Sequence, residues 1–301
     1  MKKGVLIFFS FLSFFKTFSQ DIQTFDYELL GALVLESKQL ISYKIQFNAN
    51  KDGFIEGYSY TDLSGENETK SYIRGYYNSK KNDIQFKESD ILYTKSTFLS
   101  SEFCFVNFKG KFRGNSNKKL LEGEFIGIYD DRDTCATGKI KLASIKFVEK
   151  KVQKAYKKIK KIKRVDSIVK EKIKPENYLK KFSETQIKPD EKVTVFVYSS
   201  KIKMEIWDYG KEDGDEITIL QNNIPILPNY VVTKSKKKLY IDLVEGENFI
   251  KIITTNAGEI ETNTTKLKLY AFRREYEIVS NLKEGESAII NIVKVNIPSK
   301  K

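Results

Sequence analysis

The densest set of ligand-type side chains lies in Glu205-Ile206-Trp207-Asp208-Tyr209-Gly210-Lys211-Glu212-Asp213-Gly214-Asp215. Three aspartates, Asp208, Asp213 and Asp215, follow a DxGxxDGD pattern beside the single tryptophan of the chain. Hard oxygen donors on a glycine-flexed loop are what Ca²⁺ takes, so these three are the candidate metal ligands, with Glu212 able to complete the set. The spacing is not that of an EF-hand loop. The plainer reading, preferred on sequence alone, is an Asp213-Gly214 hairpin turn with Trp207 in a core. Trp207 and Tyr209, with Asn256 and Asn263 from later turns, are the candidate binding residues. Calcium apart, no cofactor is expected.

Histidine is absent. That removes Ser/His/Asp and Cys/His nucleophiles, histidine zinc sites and histidine general bases together. The two cysteines, Cys104 and Cys135, are expected to pair, because they lack CxxC spacing and the chain reads as exported. Closing that loop would stabilise by roughly 3 to 4 kcal/mol in the chain-entropy model. The acidic pairs Glu66/Glu68 and Glu122/Glu124 could be cast as glycosidase carboxylates, but read better as loop or solvent-face charges. No catalytic constellation is left, and the expectation is a protein that is not an enzyme.

Net charge is +13 with a pI near 9.3. The excess is local: Lys146 to Lys174 carries thirteen basic against three acidic residues, and beyond it and the N-terminal leader acids and bases balance. Within it Val148, Val152, Ala155, Ile159, Ile162, Val169 and Ile173 recur at steps of three and four, which predicts one amphipathic helix ending at Pro175. Docking of that stripe on a β domain is the first expectation. Dimerisation through it as a coiled coil is the second. Contact with an anionic surface through Lys154, Lys157, Lys158, Lys161 and Arg164 is the third. Nucleic acid is not an expected partner, since no groove-reading or stacking motif accompanies the lysines.

The elements that must carry these residues are mostly strands. Two lysines followed by an apolar run from Val5 to Phe15 have the layout of a signal peptide, residues 1–19, and no other stretch is long and apolar enough to predict a membrane span. From 20 to 145 about nine short runs of period two, such as Ile41, Tyr43, Ile45 and Phe47, alternate with turn clusters. Glycines inside the runs, at Gly31, Gly57, Gly75, Gly110, Gly123 and Gly127, argue for a coiled sheet. A lipocalin-like antiparallel meander barrel is expected there, its aromatic residues filling the interior, with a two-sheet sandwich as alternative. Helix 146–174 and linker 175–190 follow. Residues 191–301 again show short strands at regular spacing, which predicts an immunoglobulin-like β-sandwich. The fold class is therefore all-β.

The segment KIKMEIWDYGKEDGDEITI from Lys201, the turn at Glu245-Gly246-Glu247-Asn248 and the loop from Asn256 to Thr265 resemble the C-terminal domain of uncharacterised exported two-domain proteins of Bacteroidota. Tyr58 to Lys70 (YSYTDLSGENETK), Ile91 to Ser96 (ILYTKS) and Phe103 to Phe108 (FCFVNF) resemble the N-terminal domain of the same group. The resemblance covers nearly the whole chain and implies export and the two-domain layout. Asp166-Ser167-Ile168 fits the short O-glycosylation motif of such bacteria; Asn67-Glu68-Thr69 and Asn263-Thr264-Thr265 match the N-glycosylation triplet, which a bacterial origin makes irrelevant. The functional expectation is a non-catalytic binding or surface-interaction protein of the envelope, in the periplasm or at the outer-membrane periphery, with an extracellular location as alternative. An envelope component or carbohydrate is the expected partner. A carboxylate-dependent hydrolase acting on polysaccharide is the competing expectation.

Overall fold

The computed structural model describes residues 25–97, 102–114, 118–180, 182, 184–259, 262–272 and 274–295; the expected signal peptide lies outside them. Eight strands come first: β1 (Tyr27–Leu35), β2 (Leu40–Ala49), β3 (Phe54–Thr61), β4 (Thr69–Asn78), β5 (Asp83–Thr94), β6 (Phe105–Arg113), β7 (Leu120–Ile128) and β8 (Thr134–Ser144). Each pairs antiparallel with the next, and β8 returns to β1, so the meander closes into a barrel. Period-two alternation sends Tyr43, Ile45 and Phe47, then Ile84 and Phe86, then Val106, Phe108 and Phe112 into one interior cluster. The interior is filled: Tyr43, Phe47, Phe86 and Phe108 are at most 1% exposed. Not all the aromatic residues are inside, however. Phe54 and Tyr76 are exposed, and Tyr58 and Tyr72 pack against the second unit's core, because another part of the chain covers that side of the barrel.

Two glycines show why the wall needs them. A Cβ on Gly31 would stand 2.0 Å from the Lys141 carbonyl oxygen of β8, so only glycine allows the closing strands to approach. One on Gly127 would stand 2.3 Å from Cys104 Sγ. That glycine makes room for the Cys104–Cys135 disulfide, which crosses β7 to tie the entry of β6 to β8.

Where the sequence predicts one long helix there are three short ones: α1 (Ile145–Ile159), α2 (Ser167–Lys172) and α3 (Pro175–Lys180). The break has a physical cause. After Ile159 the residues Lys160, Lys161, Lys163 and Arg164 repel their neighbours three and four apart, and no residue of α1 is buried to offset that. Asp166 then caps α2, its Oδ1 accepting from Ile168 N at 2.6 Å, rather than continuing a helix. A coiled-coil seam of four repeats therefore has no continuous helix to run on. Lys154, Lys157, Lys158, Lys161 and Arg164 are all exposed. The stretch expected as linker holds α3 and the first strand of the second unit.

Ten strands make that unit: β9 (Thr185–Ile187), β10 (Lys192–Val197), β11 (Lys201–Asp208), β12 (Glu216–Gln221), β13 (Ile224–Val231), β14 (Lys237–Asp242), β15 (Gly246–Asn256), β16 (Asn263–Ala271), β17 (Arg274–Leu282) and β18 (Ser287–Lys294). They form two five-stranded layers, β13-β12-β15-β18-β10 and β14-β11-β16-β17-β9. Val195, Met204, Ile206, Ile219, Ile252, Leu267 and Ile290 close one core between the layers.

The first layer does not end at β10. Thr194 and Val195 pair with Thr94 and Tyr93 of β5, joining barrel and first layer into one 13-stranded sheet. β5 can do this because it leaves β6 after Lys87. The first two residues of β6, Phe105 and Val106, are left without it and are held by Glu88, whose Oε2 accepts from Val106 N at 2.7 Å while Oε1 accepts from Tyr43 Oη at 2.7 Å. Burial raises the Glu88 carboxyl, and Ser59, Val106 and Tyr43 oppose that rise. Across the junction Tyr93 Oη meets Glu68 and Thr185, and Lys95 Nζ reaches the Gln186 carbonyl and Glu191.

Two outcomes are expected. Cys104→Ser lowers the unfolding free energy by about 3–4 kcal/mol; equal denaturation midpoints with and without the bond would refute it. Glu88→Ala strands two buried donors and lowers stability by about 2–4 kcal/mol, measured by the same denaturation; a loss below half a kilocalorie would show the contact is dispensable.

Candidate functional site

One end of the second unit collects the acidic loop. Asp208 closes β11 as the next member of its inward series Ile202, Met204 and Ile206, and Asp215 stands just before β12, whose Ile217 and Ile219 line the core. Asp208 is 2% exposed, Asp215 4% and Asn263, at the start of β16, 1%. Asp208 Oδ1 accepts from Gly210 N at 2.6 Å and lies 3.4 Å from Lys234 Nζ. Its Oδ2 has no hydrogen-bond partner, nor do Asp213 Oδ2, Asp215 Oδ1 and Asn263 Nδ2, all buried. Burial, then the charges of Asp213 and Asp208, push the Asp215 carboxyl up to about 6. The loop is pressed against the β15–β16 turn, where a Cβ on Gly258 would stand 2.5 Å from Asp213 Oδ1.

The structure thus brings Asp208, Asp213, Asp215 and Asn263 to one end. Asn256 is not among the orphaned groups; its Oδ1 accepts from Gly258 N at 2.9 Å within its own exposed turn. Glu212 turns to Lys234 N at 3.3 Å, and Lys211 pairs with Glu259 at 3.0 Å. Among the described residues no three His, Cys, Asp or Glu side chains already stand as a metal-binding group.

Trp207, next in sequence to Asp208, points the other way, so it is not the core residue the hairpin reading expects. It belongs to the open face of the second layer, where register stacks three rows. Tyr240, Lys203 and Tyr270 form one; Lys238, Glu205 and Lys268 the next; Trp207 and Lys266 the third. The Lys203 ammonium lies 3.8 Å from the Tyr270 ring centroid, and Lys236 lies 4.7 Å from that of Trp207. Tyr209 sits between Lys266 at 4.7 Å and Lys180 at 5.1 Å, its hydroxyl donating to Glu184. Glu205 organises the centre, with Lys203 at 2.9 Å, Lys236 at 3.5 Å and the Tyr270 hydroxyl at 2.9 Å. Burial pushes the Glu205 carboxyl up, but these three partners outweigh it and hold it below the usual range. Glu277 pairs with Lys266 at 3.0 Å and with Lys268 at 3.2 Å, and Glu275 with Lys268 at 2.7 Å. Lys203, Lys236, Lys238, Lys266 and Lys268 still outnumber the three glutamates, and Tyr240 is 68% exposed, so the face is both cationic and aromatic.

Beside this face, at the seam with the barrel, lie Lys44 and Lys70. The Lys70 ammonium is 4.2 Å from the Tyr58 ring centroid and 5.2 Å from that of Tyr60. Burial, then Lys44, lowers the Lys70 amine to about 8 against the pull of Glu277 and Glu275. Lys44, 4% exposed, is lowered by burial too, and donates to the Phe182 carbonyl at 3.1 Å.

A rival surface is a depression of about 1160 Å³ on the barrel's outer face, where Arg74, Lys109, Lys111, Glu122 and exposed Ile126 meet. Three of its charges are paired with neighbours, Arg74 with Glu56, Lys111 with Asp83 and Arg113 with Glu122, while Lys87, Lys109, Lys139 and Glu124 line it as well. Among the described residues none of the buried polar atoms without a partner belongs to it.

The residues that sequence reasoning passed over are Lys203, Glu205, Lys236, Lys266, Lys268, Tyr240 and Tyr270. Their signal was present as lysine, acid and aromatic at every second position of KIKMEIW and TKLKLYA, the solvent parity of two neighbouring strands. Compared with protein-family models, curated proteins and solved structures, the chain matches none.

The Lys70 amine, lowered in the folded state, favours the neutral form, so its contribution to stability is present above the ordinary amine value of 10.5 and is lost as pH falls through about 8. In ¹³C-dimethylated protein the Lys70 methyl signal should titrate near 8, well below the exposed lysines. A midpoint among theirs would show the seam is wetter than its packing implies.

Proposed function

We propose that this is an exported, non-catalytic binding protein of the bacterial envelope, of the exported Bacteroidota type it resembles, that holds an acidic glycan on the open face of the second layer. What carries the reading is the pairing of Trp207, Tyr240 and Tyr270 with Lys203, Lys236 and Lys266 on one flat sheet. Aromatic rings give a sugar an apolar platform, and the lysines beside them select for carboxylate or sulfate. Past Tyr209 the surface changes sign: the crevice that Tyr209 shares with α1 and α3 is lined by Glu149, Glu176 and Glu184 beside Lys180, so the helix lysines Lys154, Lys157, Lys158, Lys161 and Arg164 form a separate cationic surface. We read the ten-stranded unit as immunoglobulin-like in build, with one entering segment serving both layers: β9 lies parallel to β17 and β10 parallel to β18. Supporting export are the disulfide and, among the described residues, the lack of any helix long and apolar enough to cross a membrane. The periplasm or outer-membrane periphery is the compartment proposed.

The hydrolase alternative rests on Asp215, whose carboxyl near 6 is what a general acid needs. Asp208 and Asp215 are too closed off for a sugar ring to reach, which favours the binding reading.

In glycan-affinity measurements at low salt, a polyuronate should bind and a neutral glucan should not. Lys236→Glu with Lys266→Glu should weaken polyuronate binding at least tenfold, and Tyr240→Ala several-fold. Equal binding by wild type and the double variant would remove the sheet face from consideration, and steady release of reducing ends would favour the hydrolase.

A further inference from the structure

Asp208 and Asp215 come from the two facing layers and meet at the end of the core, joined by Asp213 from the connecting loop. Each keeps one buried carboxylate oxygen without a hydrogen-bond donor: Asp208 Oδ2, Asp213 Oδ2 and Asp215 Oδ1. The cation at hand, Lys234, lies on Asp208 Oδ1 and on the Asp208 and Gly210 carbonyls, so it serves a different set of atoms. Three carboxylates meet two ammoniums, Lys234 on Asp208 and Lys211 near Asp213, and Lys211 is already paired with Glu259, so negative charge is in excess at the edge of an apolar core, where uncompensated charge is costly. A separate observation points the same way. Asn263 is 1% exposed, on the same inward face as Asp208, with an unpartnered amide nitrogen. As it stands the amide oxygen accepts from the Thr265 hydroxyl; turned by 180°, the amide would offer its oxygen to the cluster and donate its nitrogen to that hydroxyl, which can accept as well as donate.

We infer that Asp208, Asp213 and Asp215, with Asn263, bind one divalent hard cation, Ca²⁺ in class, that clamps the two layers of the second unit together. Carboxylate and amide oxygens in a flexible arrangement suit Ca²⁺ better than Mg²⁺, which demands a near-ideal octahedron. The side chains do not already stand as a closed cage. Binding therefore draws Asp213 inward, and Gly210 and Gly214, the latter at φ +94°, give the loop the freedom to close. The inference is independent of the glycan reading, because it concerns the sandwich end and not the sheet face.

The test uses the full mature chain. In EDTA and then in 5 mM CaCl₂, the thermal midpoint should rise by about 5 °C or more, with a smaller response to MgCl₂. Tb³⁺ should show emission sensitised by Trp207, its neighbour in sequence, and excess Ca²⁺ should quench it. Asp213→Asn, on the surface loop, should fold normally and lose both responses. Asp215→Asn should melt higher than wild type in EDTA, because it removes a repelling charge, and should gain nothing from Ca²⁺. No midpoint shift and no sensitised emission would overturn the inference. So would a Ca²⁺ response that survives in Asp213→Asn and Asp215→Asn alike.

Discussion

The whole architecture depends on one strand belonging to two sheets. β5 begins as a stave of the barrel and ends as the neighbour of β10, so its backbone donors and acceptors must change partners partway along. A strand cannot do that without leaving the abandoned neighbour short of hydrogen bonds. Glu88 resolves the conflict at the point of departure by giving β6 a side-chain acceptor in place of the backbone that has left. The register irregularities between β4 and β5, at Lys70, Ser71 and Tyr72, take up the accompanying change in twist. From there the junction follows: Tyr93 and Leu92, barrel residues by sequence, are core residues of the second unit.

Much of the barrel was legible. Alternation at Ile41 to Phe47, the turn clusters and the mid-strand glycines each report local backbone geometry, which sequence expresses directly. The Cys104–Cys135 pairing was legible for another reason: two cysteines without CxxC spacing in a chain that reads as exported leave one disulfide to form. What escaped was nonlocal. Nothing in Tyr58 or Tyr72 says which of two apolar environments each will meet, and both were read as barrel filling when they cover the neighbouring core. The long helix failed for the opposite reason: periodicity was counted, while the repulsion among Lys160, Lys161, Lys163 and Arg164 and the capping preference of Asp166 were not.

At the candidate site, the acidic loop could be named from its spacing, but its significance comes from burial. Asp213-Gly214 would be an ordinary turn on a surface; at the end of a core between two layers the neighbouring carboxylates Asp208 and Asp215 are charges with little water to screen them. The sheet face shows the complementary case. Its lysines looked like solvent-side charges, and they are, yet register lines them up with Tyr240, Tyr270 and Trp207 across three strands. Glu205 keeps that cationic face from flying apart, since one buried carboxylate serves Lys203, Lys236 and Tyr270 at once.

The order in which the strands occur along the chain sets an assembly schedule. In a chain that emerges N-terminus first, the barrel can close as soon as β8 appears. The far end of β5 then waits, because its partner β10 lies beyond the helices. β10 in turn is sandwiched between β5 and β18, the last strand of the unit. Until β18 arrives, β10 offers one satisfied edge and one open edge, and nothing joins it to β15 and the rest of the first layer. The barrel is thus a template for the second unit, and a chain stopped short of β18 would display an open half-sheet beside a finished barrel. Until its last strand is in place such a chain is exposed to aggregation through that open edge.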